Sequence, residues 1–153
     1  MDCLIVEDDA HLRTSYTRLM KRLGFQVIEA ERVTEAIYAL KLHDIRVILL
    51  DLFLIDGISL PVVDYVDALG IDAMIVLITG QTAFPNGEHT KLSNRIDYMR
   101  RKPVNADHLE ALGLHALHEW RPGGGFVPWT DAESGGLQRH PRPSHEQETG
   151  TKP

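Results

Sequence analysis

The sequence predicts an α/β fold, a doubly wound parallel sheet with helices on both faces. Three observations carry this. Short apolar runs alternate along the chain with stretches of helical periodicity. Two of those runs, RVILLDL (46–52) and AMIVLIT (73–79), are almost unbroken, as in strands buried on both faces. The chain has 153 residues, 43% of them hydrophobic and 25% charged, enough for one domain with a real core.

The elements follow in order. CLIV (3–6) reads as the first strand. Leu12, Tyr16, Leu19, Met20 and Leu23 recur at helical spacing, and Gly24 stops that helix. FQVIEA (25–30) alternates like a short strand. Thr34 reads as a cap for a helix carrying Ala36, Ile37 and Leu40. The 46–52 strand comes next, then a helical stretch over 60–69, then the 73–79 strand. A polar tract follows, then a strand near 95–100. Asn105 can cap a last helix with Leu109, Leu112, Leu117 and Trp120 on one stripe.

From Arg121 the composition changes. Proline and glycine supply 11 of the last 33 residues, and four acids balance four bases. So few aliphatic side chains cannot offset the entropy of ordering, and the segment reads as a disordered tail or linker. Phe126 and Trp129 are its large apolar residues, and the GGG at 123–125 is a hinge rather than a phosphate loop.

The net charge of -6 argues against a nucleic-acid surface. The lone cysteine, Cys3, excludes an intramolecular disulfide and fits a buried position in a reducing compartment. MDCLIVEDD has no basic region ahead of an apolar run, and no apolar run approaches a membrane span. A cytoplasmic protein without membrane contact is the expectation.

LIVEDDAHLR (4–13) drives an apolar run into three acids, Glu7, Asp8 and Asp9. Two like charges 4 Å apart repel by about 4 kcal/mol at an effective dielectric near 20. Such a cluster needs a solvated exit or a cation. In a parallel α/β sheet, sites form outside the carboxyl ends of the strands. There the first strand delivers the acids, the third Asp51, the fourth Thr79 and the fifth Lys102. Paired carboxylates suit Mg²⁺, which keeps waters and phosphate oxygens as its other ligands. A carboxylate beside it can act as nucleophile and form an aspartyl phosphate. Lys102 would supply a point charge to phosphate oxygens and Thr79 a hydroxyl.

LIVEDDAHLR, VILLDLFLIDGISL, IVLITG and RKPV, in this order and spacing, resemble the receiver domain of two-component response regulators over residues 1 to about 120. The resemblance implies a flavodoxin-like (βα)5 sheet of strand order 2-1-3-4-5. It implies Mg²⁺ held by Glu7, Asp8, Asp51 and the backbone carbonyl of Phe53. Asp51 would be the phosphoacceptor, Thr79 the switch hydroxyl, Lys102 the phosphate-binding lysine, and Pro103 the proline often cis after it. Asp9 would cap the first helix. The expected function is signalling rather than enzymatic. Asp51 would receive a phosphoryl group from a sensor histidine kinase or a phosphotransfer protein, and the domain would then switch toward a downstream protein. A homodimer is compatible with that role.

Some positions depart from the family pattern. Ile55 replaces the proline four residues after the phosphoacceptor, and Ser59 the glycine eight after it, although Gly57 is present. FPNGEHTKLSNR (84–95) promises a short or poorly formed helix. The aromatic switch position, three before the lysine, is Met99, while Tyr98 lies four before. A pseudo-receiver that signals by contact without phosphate is therefore the rival reading. A Mg²⁺-dependent aspartyl-phosphate phosphatase would want a second acid where Phe53 stands. His108, His115 and His118 read as a solvated helix face rather than a metal site, and His140 and His145 have no evident ligand partner.

Overall fold

The computed structural model describes residues 1–80 and 95–118. The tail from 121, its two aromatic residues, Trp120 and nearly all of the 84–95 tract lie outside the described residues.

Five strands make one parallel sheet: β1 (Asp2–Val6), β2 (Gln26–Ala30), β3 (Ile45–Asp51), β6 (Met74–Thr79) and β7 (Tyr98–Arg101). Their order is β2-β1-β3-β6-β7, the expected 2-1-3-4-5 when the strands of this sheet alone are counted. Helices α1 (Ala10–Arg22), α2 (Val33–Leu42), α3 (Leu60–Ala68) and α4 (Ala106–His118) join and cover it. The strand ends differ from the sequence reading by one to three residues.

The apolar runs are continuous because each strand feeds two cores. Leu4, Val6, Ile48, Leu50, Ile75 and Leu77 pack against Ala36, Ala39 and Leu40 of α2 and Val62, Val63 and Val66 of α3. Their neighbours Cys3, Ile5, Val47, Leu49, Val76 and Ile78 pack on the other face against Tyr16, Leu19 and Met20 of α1 and Leu109, Leu112 and Ala116 of α4. Cys3 is fully buried, as expected. Burial pushes its thiol far above the usual range. Among the described residues no helix is long and apolar enough to cross a membrane.

Two features were not legible beforehand. A small antiparallel hairpin, β4 (Phe53–Leu54) and β5 (Gly57–Ile58), follows β3 directly. Gly57 sits at φ 125°, where a side chain would be strained, and Ser59 N–H bonds back to Leu52 O at 2.9 Å to close the unit. The start of α2 also differs. Its cap position is Arg32, which offers no side-chain bond, and Thr34 lies inside the helix. The acceptor comes from afar: the Asp56 carboxylate takes Val33 N–H at 3.1 and 3.3 Å. The other two caps hold as read. Asp9 Oδ1 accepts His11 and Leu12 N–H at 2.8 and 3.0 Å, and Asn105 Oδ1 accepts Asp107 N–H at 2.8 Å.

Candidate functional site

The carboxyl ends of β1, β3, β6 and β7 lie side by side, and the polar residues of the sequence reading emerge there. Glu7 and Asp8 follow β1, and Asp51 ends β3. Carboxylate oxygens of these three lie within 4.8 Å of one another, and only Asp8 is exposed. Lys102 Nζ reaches over from the end of β7. It bonds Asp51 Oδ2 at 2.7 Å and stands 2.9 Å from Glu7 Oε2. The lysine is aimed by its own backbone, since Lys102 N–H donates to Thr79 O at 2.8 Å. The peptide between Lys102 and Pro103 is cis.

The ammonium is aligned on Asp51 rather than on Glu7. Its approach to Glu7 Oε2 is close enough for an ion pair, but that buried oxygen receives no well-directed hydrogen bond. Burial raises the Glu7 carboxyl above its ordinary range, and the Asp51 charge adds to this, against the pull of Lys102. Burial alone would lower Lys102, but its bond to Asp51 and the nearby Glu7 charge outweigh that and raise the ammonium above its ordinary range. A buried, underpaired carboxylate oxygen beside two other carboxylates suits a hard divalent cation, which needs just such oxygens. The donor set therefore fits Mg²⁺.

The sign of the Glu7 shift gives a prediction. With its pKa raised in the folded state, Glu7 favours folding below its unfolded pKa, and that contribution is lost as pH rises through the folded value. At neutral pH and without metal, burying the Glu7 carboxyl beside Asp51 works against the fold. Glu7→Gln should therefore raise the unfolding midpoint in EDTA at pH 7 by a few degrees, about 1 kcal/mol for a domain of this size. The same variant should lose its stabilisation by added Mg²⁺. A midpoint below wild type in EDTA contradicts this account.

The other sequence-predicted residues are placed as follows. Thr79 is buried at the end of β6, and among the described residues its hydroxyl makes one long contact, 3.4 Å, to Gly80 O. Phe53 N–H donates to Asp51 Oδ1 at 3.2 Å, while its side chain is half exposed. Tyr98 sits on the α1/α4 face of β7 and meets the His115 ring edge-on at 6.2 Å between centroids. Met99 packs on the opposite face with α2 and α3. His115 is thus partly buried against an aromatic ring rather than wholly solvated.

Arg13 and Asp56 did not announce themselves in the sequence. Arg13 Nη1 donates to Glu7 O at 2.7 Å, with Asp8 O at 3.5 Å, while its other nitrogens reach Glu29 at 3.3 Å and Glu31 at 2.6 Å. No local spacing could have flagged partners sixteen and eighteen positions away. Tyr16 is a further surprise: its hydroxyl is buried without a partner among the described residues, and burial together with the Glu7 charge pushes it up to about 12.

A parallel five-stranded order with a lysine bound to an aspartate across the rim is a specific arrangement. The family model described as the response regulator receiver domain matches residues 3–112. The chain belongs to this family. Solved receiver domains share the fold over about three quarters of the chain. One from Vibrio parahaemolyticus is 24% identical, with TM-score 0.65, over 76% of this chain and 89% of its own. One from Methanospirillum hungatei is 24% identical, with TM-score 0.64, over 76% and 94%. One from Methylobacillus flagellatus is 25% identical, with TM-score 0.64, over 76% and 98%. No curated protein matches the chain. As a receiver domain it carries the acidic group Glu7, Asp8 and Asp51 in the place a phosphorylation site requires.

Proposed function

We propose that this receiver domain is a phosphoacceptor in a two-component relay and that Asp51 takes the phosphoryl group. The observation that carries this is Lys102 Nζ at 2.7 Å from Asp51 Oδ2, with Glu7 and Asp8 grouped beside it. A lysine bound in this way holds the Asp51 carboxylate in place and puts a positive charge where phosphoryl oxygens would arrive. The donor is a phosphohistidine on a sensor kinase or phosphotransfer protein. An Asp51 oxygen forms a bond to phosphorus while the P–N bond breaks and its electron pair returns to the imidazole. Glu7, Asp8, Asp51 and the Phe53 carbonyl would hold Mg²⁺. That ion supplies neutralisation of the charge on the transferred group. Thr79, at the end of the neighbouring strand, offers its hydroxyl to a phosphoryl oxygen.

The phosphorylated aspartate adds about -1.5 to -2 charge units at the rim, enough to bias a two-state element. Tyr98, on β7 three residues before the Arg101 that pairs with Thr79, belongs to that element in this reading. The output partner is another protein, and the site of action is the cytoplasm. A phosphate-affinity gel of the full chain with acetyl phosphate tests the proposal, and a Mg²⁺-dependent shifted band is expected. If neither acetyl phosphate nor beryllofluoride engages the folded protein, the phosphate-independent pseudo-receiver replaces this reading.

A further inference from the structure

The proposed cation site is built in two halves. Glu7 and Asp8 come from the loop after β1, and Asp51 with Phe53 from the end of β3 and its hairpin. β1 and β3 are adjacent, and both halves begin just past their last mutual pair, Val6 and Leu50, although Asp51 still pairs with Ile78 of β6. Lys102 joins the two halves on the side of β7; a second connection runs outside the sheet.

The short segment between β2 and α2 touches both. On one side Glu31 binds Arg13 at 2.6 Å, and Arg13, only 12% exposed at its side chain, grips the backbone carbonyls of Glu7 and Asp8. Thr17 donates to Glu29 at 2.8 Å and so orients a second carboxylate on the same guanidinium. On the other side, two residues after Glu31, Val33 N–H is held by Asp56 of the β4–β5 hairpin. Glu35 accepts the Glu31 N–H at 2.8 Å and stiffens the stretch between them. The sequence of contacts is therefore Glu7/Asp8 carbonyls, Arg13, Glu31, Val33, Asp56, hairpin, Asp51.

We propose that Arg13 and Asp56 are positioning residues, the two ends of a polar strap across the β2–α2 segment that sets the distance between the halves of the divalent-cation site. This rests on the reading that Glu7, Asp8 and Asp51 hold Mg²⁺. Arg13 suits the task because its planar fork serves several acceptors at once. Glu29 and Glu31 neutralise its charge, so the guanidinium grips carbonyls rather than competing for the cation-binding carboxylates. Partners behind a metal's ligands ordinarily change affinity by tenfold or more when removed.

Simple electrostatics predicts the opposite sign for Arg13. Removing a cation near an acidic cluster should strengthen Mg²⁺ binding; losing the strap should weaken it. Calorimetric titration of the full chain with MgCl₂ separates the two, with unfolding midpoints in EDTA confirming a folded sample. Arg13→Gln should weaken Mg²⁺ about tenfold. Asp56→Ala should weaken it about threefold, a smaller loss because that contact is solvent-exposed. Asp56→Asn should stay near wild type, because its side-chain oxygen still accepts Val33 N–H. The double variant should lose less than the product of the two losses, since either change already cuts the strap. Should Arg13→Gln fail to fold, Arg13→Lys, which keeps the positive charge but lacks the planar fork that serves the carbonyls and Glu31 together, should weaken Mg²⁺ in the same direction, where simple electrostatics predicts no change. Unchanged or tighter binding in Arg13→Gln overturns the inference, as does Asp56→Asn falling with Asp56→Ala. A wild type that binds no Mg²⁺ overturns both this inference and the reading beneath it, whereas a wild type that binds while the variants match it overturns the strap alone.

Discussion

Asp51→Asn should abolish the proposed Mg²⁺-dependent phosphorylation by acetyl phosphate, leaving no shifted band on a phosphate-affinity gel. The amide has nearly the shape of the carboxylate. It can still accept the Phe53 N–H that Asp51 Oδ1 takes at 3.2 Å, so the hairpin keeps its anchor. What it lacks is a nucleophilic oxygen and the negative charge that fixes Lys102. Asp51 is 5% exposed in a fold whose sheet pairing runs right up to it, so no neighbouring acid is placed to substitute at the same geometry. Glu7 is more deeply buried still, and Asp8 stands on the exposed side. The fold should survive, because the substitution also relieves repulsion between Glu7 and position 51. A residual band in a folded Asp51→Asn sample would move the acceptor elsewhere and defeat the assignment.

The second large effect concerns the opposite edge of the sheet. Arg95 and Asp97 form an ion pair at 3.1 Å with side chains 4% and 2% exposed. Asp97 Oδ2 also takes Ile75 N–H at 2.8 Å, and Arg95 Nη2 donates to the carbonyls of Ile71 and Ala73 at 2.7 and 2.6 Å. These bonds start the pairing of β6 with β7, because Asp97 N–H donates to Ile75 O at 3.0 Å. Asp97→Ala strips a buried cation of a carboxylate and a buried N–H of its acceptor. The cost should be about 3–5 kcal/mol, a fall of 10 °C or more in the unfolding midpoint. Replacing both residues together, Arg95→Met with Asp97→Leu, should cost much less than Asp97→Ala alone, since no charge is then left buried. A single variant within 1 kcal/mol of wild type in urea unfolding would show the pair to be dispensable. Under folding conditions its Mg²⁺ affinity should be unchanged, because the pair lies at the far end of β6 from Thr79.

The layout of the sheet could be read in the chain because a strand covered on both faces leaves an unbroken apolar run, as in 46–52 and 73–79. The acids, Thr79 and Lys102 could be read because each stands immediately after such a run, and the topology then sends them to one edge. Contacts between distant segments left no local trace. Thr34 looked like a cap because hydroxyls usually cap nearby, yet Asp56 supplies the acceptor from the β4–β5 hairpin. Arg13 carried no local signal, because its partners lie at positions 7, 8, 29 and 31. Arg95 ended the polar 84–95 tract and Asp97 fell in the strand read near 95–100, and only the fold shows them as a buried pair. The 2-residue strands β4 and β5 are too short to give any periodicity.

Cys3 lies on β1 between its two pairing strands, fully covered, with its thiol held protonated by burial. A thiol in that state does not react with alkylating reagents from the native structure, because the reactive form is the thiolate. Labelling has to await an opening that frees the middle of the sheet. Since this is the one cysteine in the chain, the rate at which a reagent consumes it counts those openings directly. The protein thus carries its own clock for the breathing of its core, readable with and without metal or phosphate and without introducing any foreign probe.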